Sequence, residues 1–196
     1  TTVRTLGFGN LGWTSSASPH TGGGAILLFD LGLTDTRAIK AVLLNAADAW
    51  NDNGTQTTAD DGPVPGSLWT KTFGWGYLDL GEACLIGLDV FVRDMPARPS
   101  VGLNYKLFKA TLVWNRHVAY NGAAYPNQTE DLSNLNLQSY RQSDNGLIKT
   151  SASAIDNVEQ IDVNADGDVV LKVYTSGTFD PQVPTERFAL ATEENF

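Results

Sequence analysis

Apolar residues recur with two different periods along the 196-residue chain, and the change falls near residue 97. In the first half, Ile39, Val42, Leu43, Ala46, Ala47 and Trp50 follow the i, i+3, i+4, i+7 spacing of an amphipathic helix, with Thr34 or Asp35 placed to cap its start. Ahead of it, Ala25 to Phe29 is apolar on every side, which predicts a helix buried all round. Residues 51–72 set Gly54, Gly62, Pro63, Pro65 and Gly66 among polar residues and predict a long exposed loop. A short element over "GWGYLDLGEACLIG" closes this half.

Around Pro96 and Pro99 the period shortens to alternation. In "YKLFKATLVWN", Phe108, Ala110, Leu112 and Trp114 fall on one face of a strand, and Lys109 and Thr111 on the other. Further strands are predicted around Leu135 and Leu137, Leu147 and Ile148, Ile161 and Val163, Val169 to Tyr174, and Phe188 to Leu190. The turns "SDNG" and "NADG" lie between them, as in an antiparallel sandwich. The expected fold class is α+β, with a helical segment over residues 1–97 and an antiparallel β-sandwich over residues 98–196.

A hydrophobic content of 42% is ample for a packed core. The formal net charge of −9 is the opposite of the clustered Lys and Arg excess that neutralises phosphates, so no nucleic-acid partner is expected. No apolar run approaches the roughly 18 residues of a membrane span, so no membrane partner is expected either. Cys84 is the only cysteine, which excludes an internal disulfide and a cysteine metal cluster. No charged and apolar leader pattern stands ahead of Thr1, so no signal segment is read, and the chain is expected to be a processed or excised piece.

"DVNADGD", residues 162–168, imitates the opening of a calcium loop, but its twelfth position is Val173 where a bidentate Glu is needed. A hairpin turn is expected there instead. The acidic excess, Asp60 and Asp61 included, reads as a solvated surface and leaves room for a structural calcium that the sequence does not assign.

The stretch "LGWTSSASPHTGGGAILLF", residues 11–29, sets Thr14, Ser15, Ser16 and Ser18 directly before the first apolar helix. Most such clusters cap a helix. Here Thr14, Ser15, Ala17, Pro19 and His20 match, in register, the Gly-Thr-Ser-x-Ala-x-Pro-His nucleophile motif of the subtilisin-like serine proteases, or subtilases, which the chain resembles. "IKAVLLNAAD" is similar to the family's next helix, and Gly74, Gly76 and Tyr77 to the glycine-containing strand that ends its catalytic domain. "KATLVWN", "DLSNLNLQSY", "DNVEQIDV" and "ERFALAT" resemble the jelly-roll-like sandwich appended to some longer bacterial members, so the resemblance covers nearly the whole chain.

The resemblance implies a serine endopeptidase with Ser15 as its catalytic nucleophile. A serine at the start of a buried helix sits where backbone N–H groups and the helix dipole stabilise a developing oxyanion. Ala17 and Gly22 to Gly24 would let that helix approach its neighbours closely, despite about 1 kcal/mol of propensity lost per interior glycine. Pro19, near the first turn, would remove a donor that a helix start leaves unsatisfied anyway. His20 is expected to be a structural residue of the helix start, and His117 to leave a strand facing solvent.

The family's Asp, His and oxyanion-hole Asn precede its Ser, and only 14 residues precede Ser15, so all three are implied upstream of this chain. Trp13 stands where the family has glycine, with Gly12 displaced by one position. The implied partners are a polypeptide substrate and the missing N-terminal half of the catalytic domain, or another copy. No cofactor is implied, and the location implied is extracellular. Two alternatives stay open: a non-catalytic binding or interaction module, favoured if Trp114 and Tyr140 line one exposed groove, and a degenerate pseudoprotease.

Overall fold

A computed structural model of the chain describes residues 14–51, 62–64, 69–71, 73–87, 90–96, 101–105, 107–120, 128–163, 167–176 and 185–194. In chain order these form α1 (Thr14–Asp30), α2 (Thr36–Asn45), β1 (Ala49–Asn51), β2 (Gly62–Val64), α3 (Leu80–Ile86), β3 (Phe91–Pro96), β4 (Val101–Tyr105) and β5 (Leu107–Trp114). There follow β6 (His117–Tyr120), β7 (Gln128–Asp131), β8 (Leu135–Arg141), β9 (Leu147–Ser151), β10 (Val158–Asp162), β11 (Val169–Thr175) and β12 (Thr185–Glu194). The architecture is mixed α+β, and the paired strands are antiparallel.

The alternating half builds two four-stranded sheets, sheet I in the order β10-β5-β12-β3 and sheet II in the order β4-β11-β8-β9. Their inner faces meet in one core. Ala110, Leu112 and Trp114 of β5, with Phe188 and Leu190 of β12, pack against Leu135 and Leu137 of β8 and Leu171 and Val173 of β11. Register explains the fit: Leu112 lies opposite Leu190, and Trp114 opposite Phe188, so period-two alternation puts all four on the same face. Burying each such side chain contributes about 1.5–3 kcal/mol. β3 precedes residue 97 yet pairs with β12 and buries Met95 in this core, so the sandwich takes in residues on both sides of the expected boundary.

The outer face of sheet I carries the helices. Asp35 caps α2 by accepting from the Arg37 N–H at 2.9 Å. The helix buries Ala38, Ala41, Val42 and Asn45; of the expected stripe, Val42, Ala46 and Ala47 are buried, and Ile39 and Leu43 pack partly buried against the same core. Ala38 and Ala41 face Ala189 and Ala191 across this second core, and small side chains on both sides allow the closer approach. α2 ends at Asn45, so Trp50, expected on it, lies in β1 instead. There its ring sits 5.6 Å from Tyr77 and 6.2 Å from Phe73.

Among the described residues α1 touches the rest through one side only. A Cβ on Gly24 would fall 2.6 Å from Leu80 Cδ2, and Leu28 is buried in the helical core. Ile26 and Phe29 are 70% and 58% exposed, and Leu27 and Leu31 are half exposed. The expectation of a helix buried all round is corrected: the other helices cover a single side, and nothing else among the described residues reaches the opposite side. Within residues 51–72, expected as loop, β2 pairs with β1; residues 52–61, 65–68 and 72 lie outside the described residues, as do 164–166 of the 162–168 turn.

Candidate functional site

Ser15 occupies the first turn of α1, and its side chain is exposed. Among the described residues its hydroxyl has no hydrogen-bond partner. Pro19 is the sixth residue of the helix, not part of its first turn, so its missing N–H is one that would have bonded the Ser15 carbonyl. His20 Nδ1 lies 2.7 Å from the Ser16 carbonyl oxygen, one turn back in the same helix. That contact holds His20 as part of the helix, not as a base for Ser15.

His117 opens β6 and does not simply face solvent. Its Nε2 lies 2.8 Å from Glu186 Oε2, and the fully buried Ser133 hydroxyl donates to the same oxygen at 2.9 Å. Serine, histidine and carboxylate thus meet here in the wrong order for a nucleophile, because the hydroxyl donates to the acid and not to the imidazole. Their role is to tie β6 and the segment before β8 to β12.

Trp114 is 0% exposed in the sandwich core, and Tyr140 is half-buried with its hydroxyl donating to Gln138 Oε1 at 2.7 Å. The two do not line an exposed groove. The helical half meets the sandwich through apolar residues, Val113, Ala189 and Ala191 among them, and through hydrogen bonds from Lys109, Thr111 and Gln160 to Ala47, Asn45 and Leu44.

A groove that the sequence reading did not find lies beside the edges of β9 and β10, with a volume of about 690 Å³. Trp69 and Trp75 form part of its wall. Thr70 and Gly74 exchange two backbone hydrogen bonds of 2.8 Å, which places Trp69 opposite Trp75 as the next pair across that turn. The turn is fixed to the body by two bonds between Asp48 and Tyr77, at 2.8 and 2.7 Å. Gly76, at φ 109°, makes this approach feasible, since a Cβ there would fall 1.9 Å from the Asp48 carbonyl oxygen. The sequence signal was present in "WTKTFGW", two tryptophans six residues apart around a glycine turn.

Two lysines and three carboxylates line the groove. Lys149 pairs with Asp162. Glu159 accepts from the Ser151 hydroxyl and from the Ser153 N–H at 2.5 Å, and burial raises its carboxyl above the ordinary range. Asp156 accepts from the Ser153 hydroxyl at 2.7 Å. Lys40, whose ammonium is lowered by burial, has no partner among the described residues. Asn157 gives its amide N–H to the Trp114 carbonyl at 2.8 Å and keeps its side-chain oxygen as an acceptor.

Among the described residues, no group of three or more His, Cys, Asp or Glu side chains is placed to hold a metal ion, and no helix is long and apolar enough to cross a membrane. No protein-family model and no curated protein matches the chain.

Proposed function

We propose that this chain is the C-terminal portion of a subtilisin-like serine endopeptidase, inactive by itself, whose sandwich is the jelly-roll-like extension of that catalytic domain. The observation that carries this is the position of Ser15: the serine that matches the nucleophile motif is exposed in the first turn of a helix, with no partner for its hydroxyl among the described residues. In the whole enzyme Ser15 Oγ attacks the scissile carbonyl carbon while a histidine from the upstream half takes its proton. The Ser15 N–H and an upstream Asn stabilise the oxyanion, the amine leaves with a proton from that histidine, and water hydrolyses the acyl-enzyme.

The uncovered side of α1 supports this. Ile26, Leu27, Phe29 and Leu31 make an apolar surface that a self-sufficient domain would bury. Among the described residues a Cβ on Gly22 or Gly23 would meet nothing within 4 Å, so two interior glycines, each less favourable than alanine by about 1 kcal/mol, serve no contact there. Both features are accounted for by an upstream parallel sheet packed on α1, with the protein acting outside the cell as the family does. The test is covalent labelling of Ser15 by a fluorophosphonate once the upstream polypeptide is restored.

A further inference from the structure

Beyond proteolysis, and independent of it, we propose that the groove between the Trp69–Trp75 pair and the β9–β10 edge binds a short neutral oligosaccharide. The two indoles are the aromatic part of a wall that, apart from Ala152 and Val158, is otherwise polar, and Trp69 is 59% exposed although it belongs to the most hydrophobic class of side chain. An aromatic face held toward a polar cleft suits a ligand with flat C–H surfaces edged by hydroxyls, which describes a pyranose ring.

Charge argues the same way. Two lysines, Lys40 and Lys149, stand against three carboxylates, Asp156, Glu159 and Asp162, and Lys149 pairs with Asp162, so the groove carries at most one formal negative charge with which to select an ionic ligand. What remains is a donor on Lys40, an acceptor on Asn157, and the Thr150 hydroxyl, which accepts from Gln138 at 3.3 Å and keeps its own proton to give. These are the mixed donors and acceptors that sugar hydroxyls need. The volume falls within the usual range of small-molecule sites, about 300–1,000 Å³.

An extended peptide fits less well. Strand addition to β10 needs its outward backbone groups, and the Gln160 N–H already donates to the Ser151 hydroxyl at 3.3 Å. The turn carrying the tryptophans is also built in advance, pinned at Asp48–Tyr77 and by the rings of Trp50, Phe73 and Tyr77, so little ordering is left to pay on binding.

The experiment titrates the full 196-residue chain with cellohexaose, xylohexaose, chitohexaose and maltohexaose, followed by calorimetry and by the indole N–H resonances. At least one sugar is expected to bind saturably and to shift the Trp69 and Trp75 signals but not that of Trp114. Trp69→Ala, at an exposed position that leaves the fold intact, should weaken binding at least tenfold, and Trp69→Tyr should restore most of it. Trp75→Phe provides a second variant with an aromatic ring retained, and should weaken binding less than Trp69→Ala. The proposal is overturned if none of the four sugars binds, if Trp69→Ala leaves affinity unchanged, or if the extended peptide acetyl-Thr-Val-Thr-Val-Thr-Val-amide binds in their place with the same Trp69 dependence.

Discussion

Lys109 Nζ lies 3.3 Å from Glu193 Oε2 and donates to the Ala47 carbonyl at 3.1 Å, so one buried ammonium joins the two central strands of sheet I to the segment that follows α2. Lys109 is 2% exposed. Removing one member of a buried pair costs about 3–5 kcal/mol, whereas replacing both by apolar groups costs little. Lys109→Met should therefore destabilise the chain by about 3 kcal/mol in urea unfolding, and the double variant Lys109→Met, Glu193→Leu should recover most of that loss. A single variant as stable as the parent would show that the pair does not hold the helices on the sandwich.

Glycines in the first half divide into two groups with opposite expected effects. Gly76→Ala forces a Cβ into the Asp48 carbonyl at a φ of 109°, so it should cost several kcal/mol, on the order of the largest single-site effects, and detach the Trp69–Trp75 turn. Gly22→Ala and Gly23→Ala face open space in the helix interior, and each should raise stability by about 1 kcal/mol. If the alanines at 22 and 23 stabilise this chain, they should also weaken its association with a restored upstream half, which isothermal titration would register. Destabilisation by either would mean that α1 is packed differently.

Asp35 links the start of α2 to two arginines. The Arg37 guanidinium bonds both its carboxylate oxygens, at 2.9 and 2.7 Å, and with the backbone N–H of Arg37 and the charge of Arg187 holds the carboxyl below the ordinary value of 3.8. A lowered carboxyl contributes stability that is present above 3.8 and is lost as pH falls through the depressed folded value. Asp35→Asn keeps an N-cap oxygen but removes that dependence. Thermal unfolding of this variant should change less than the parent's between about pH 5 and pH 2, and Asp35→Ala should cost about 1 kcal/mol more at neutral pH through loss of the cap. An unchanged acid slope in Asp35→Asn would place the titrating group elsewhere.

The sandwich was readable because its physics is local. Alternation at Ala110, Leu112 and Trp114 and at Val169, Leu171 and Val173 specifies which face is buried before any partner strand is known. What the same pattern does not carry is the use of the other face. Lys109 and Thr111 look like solvent positions, and they are buried because α2 lies over them, with Thr111 bonded to Asn45 Oδ1 and to Gln160 Nε2 at 2.8 Å each. Trp114 likewise offered a candidate binding surface by residue type, and only the second sheet shows it to be core. The helix over Ala25 to Phe29 was legible as apolar, but its cover was not, since a helix cannot state which neighbour it was selected to meet. The Trp69–Trp75 groove was missed because its parts come from α2, from the turn after β2 and from the β9–β10 edge, and their meeting depends on tertiary packing.

Ser15 is the direct test of the central claim. A serine hydroxyl is a weak nucleophile at neutral pH without a positioned base, and triad members act as a unit worth roughly a millionfold in rate. The measurement is site-resolved labelling by a fluorophosphonate probe, read by mass spectrometry, on the isolated chain and on the chain joined to the polypeptide encoded upstream of Thr1. The isolated chain should label no faster at Ser15 than at Ser16 or Ser18, and the joined protein should label at Ser15 alone and cleave peptides, both lost in Ser15→Ala. Rapid labelling of the isolated chain, or a joined protein that cleaves peptides after Ser15→Ala, would contradict the assignment.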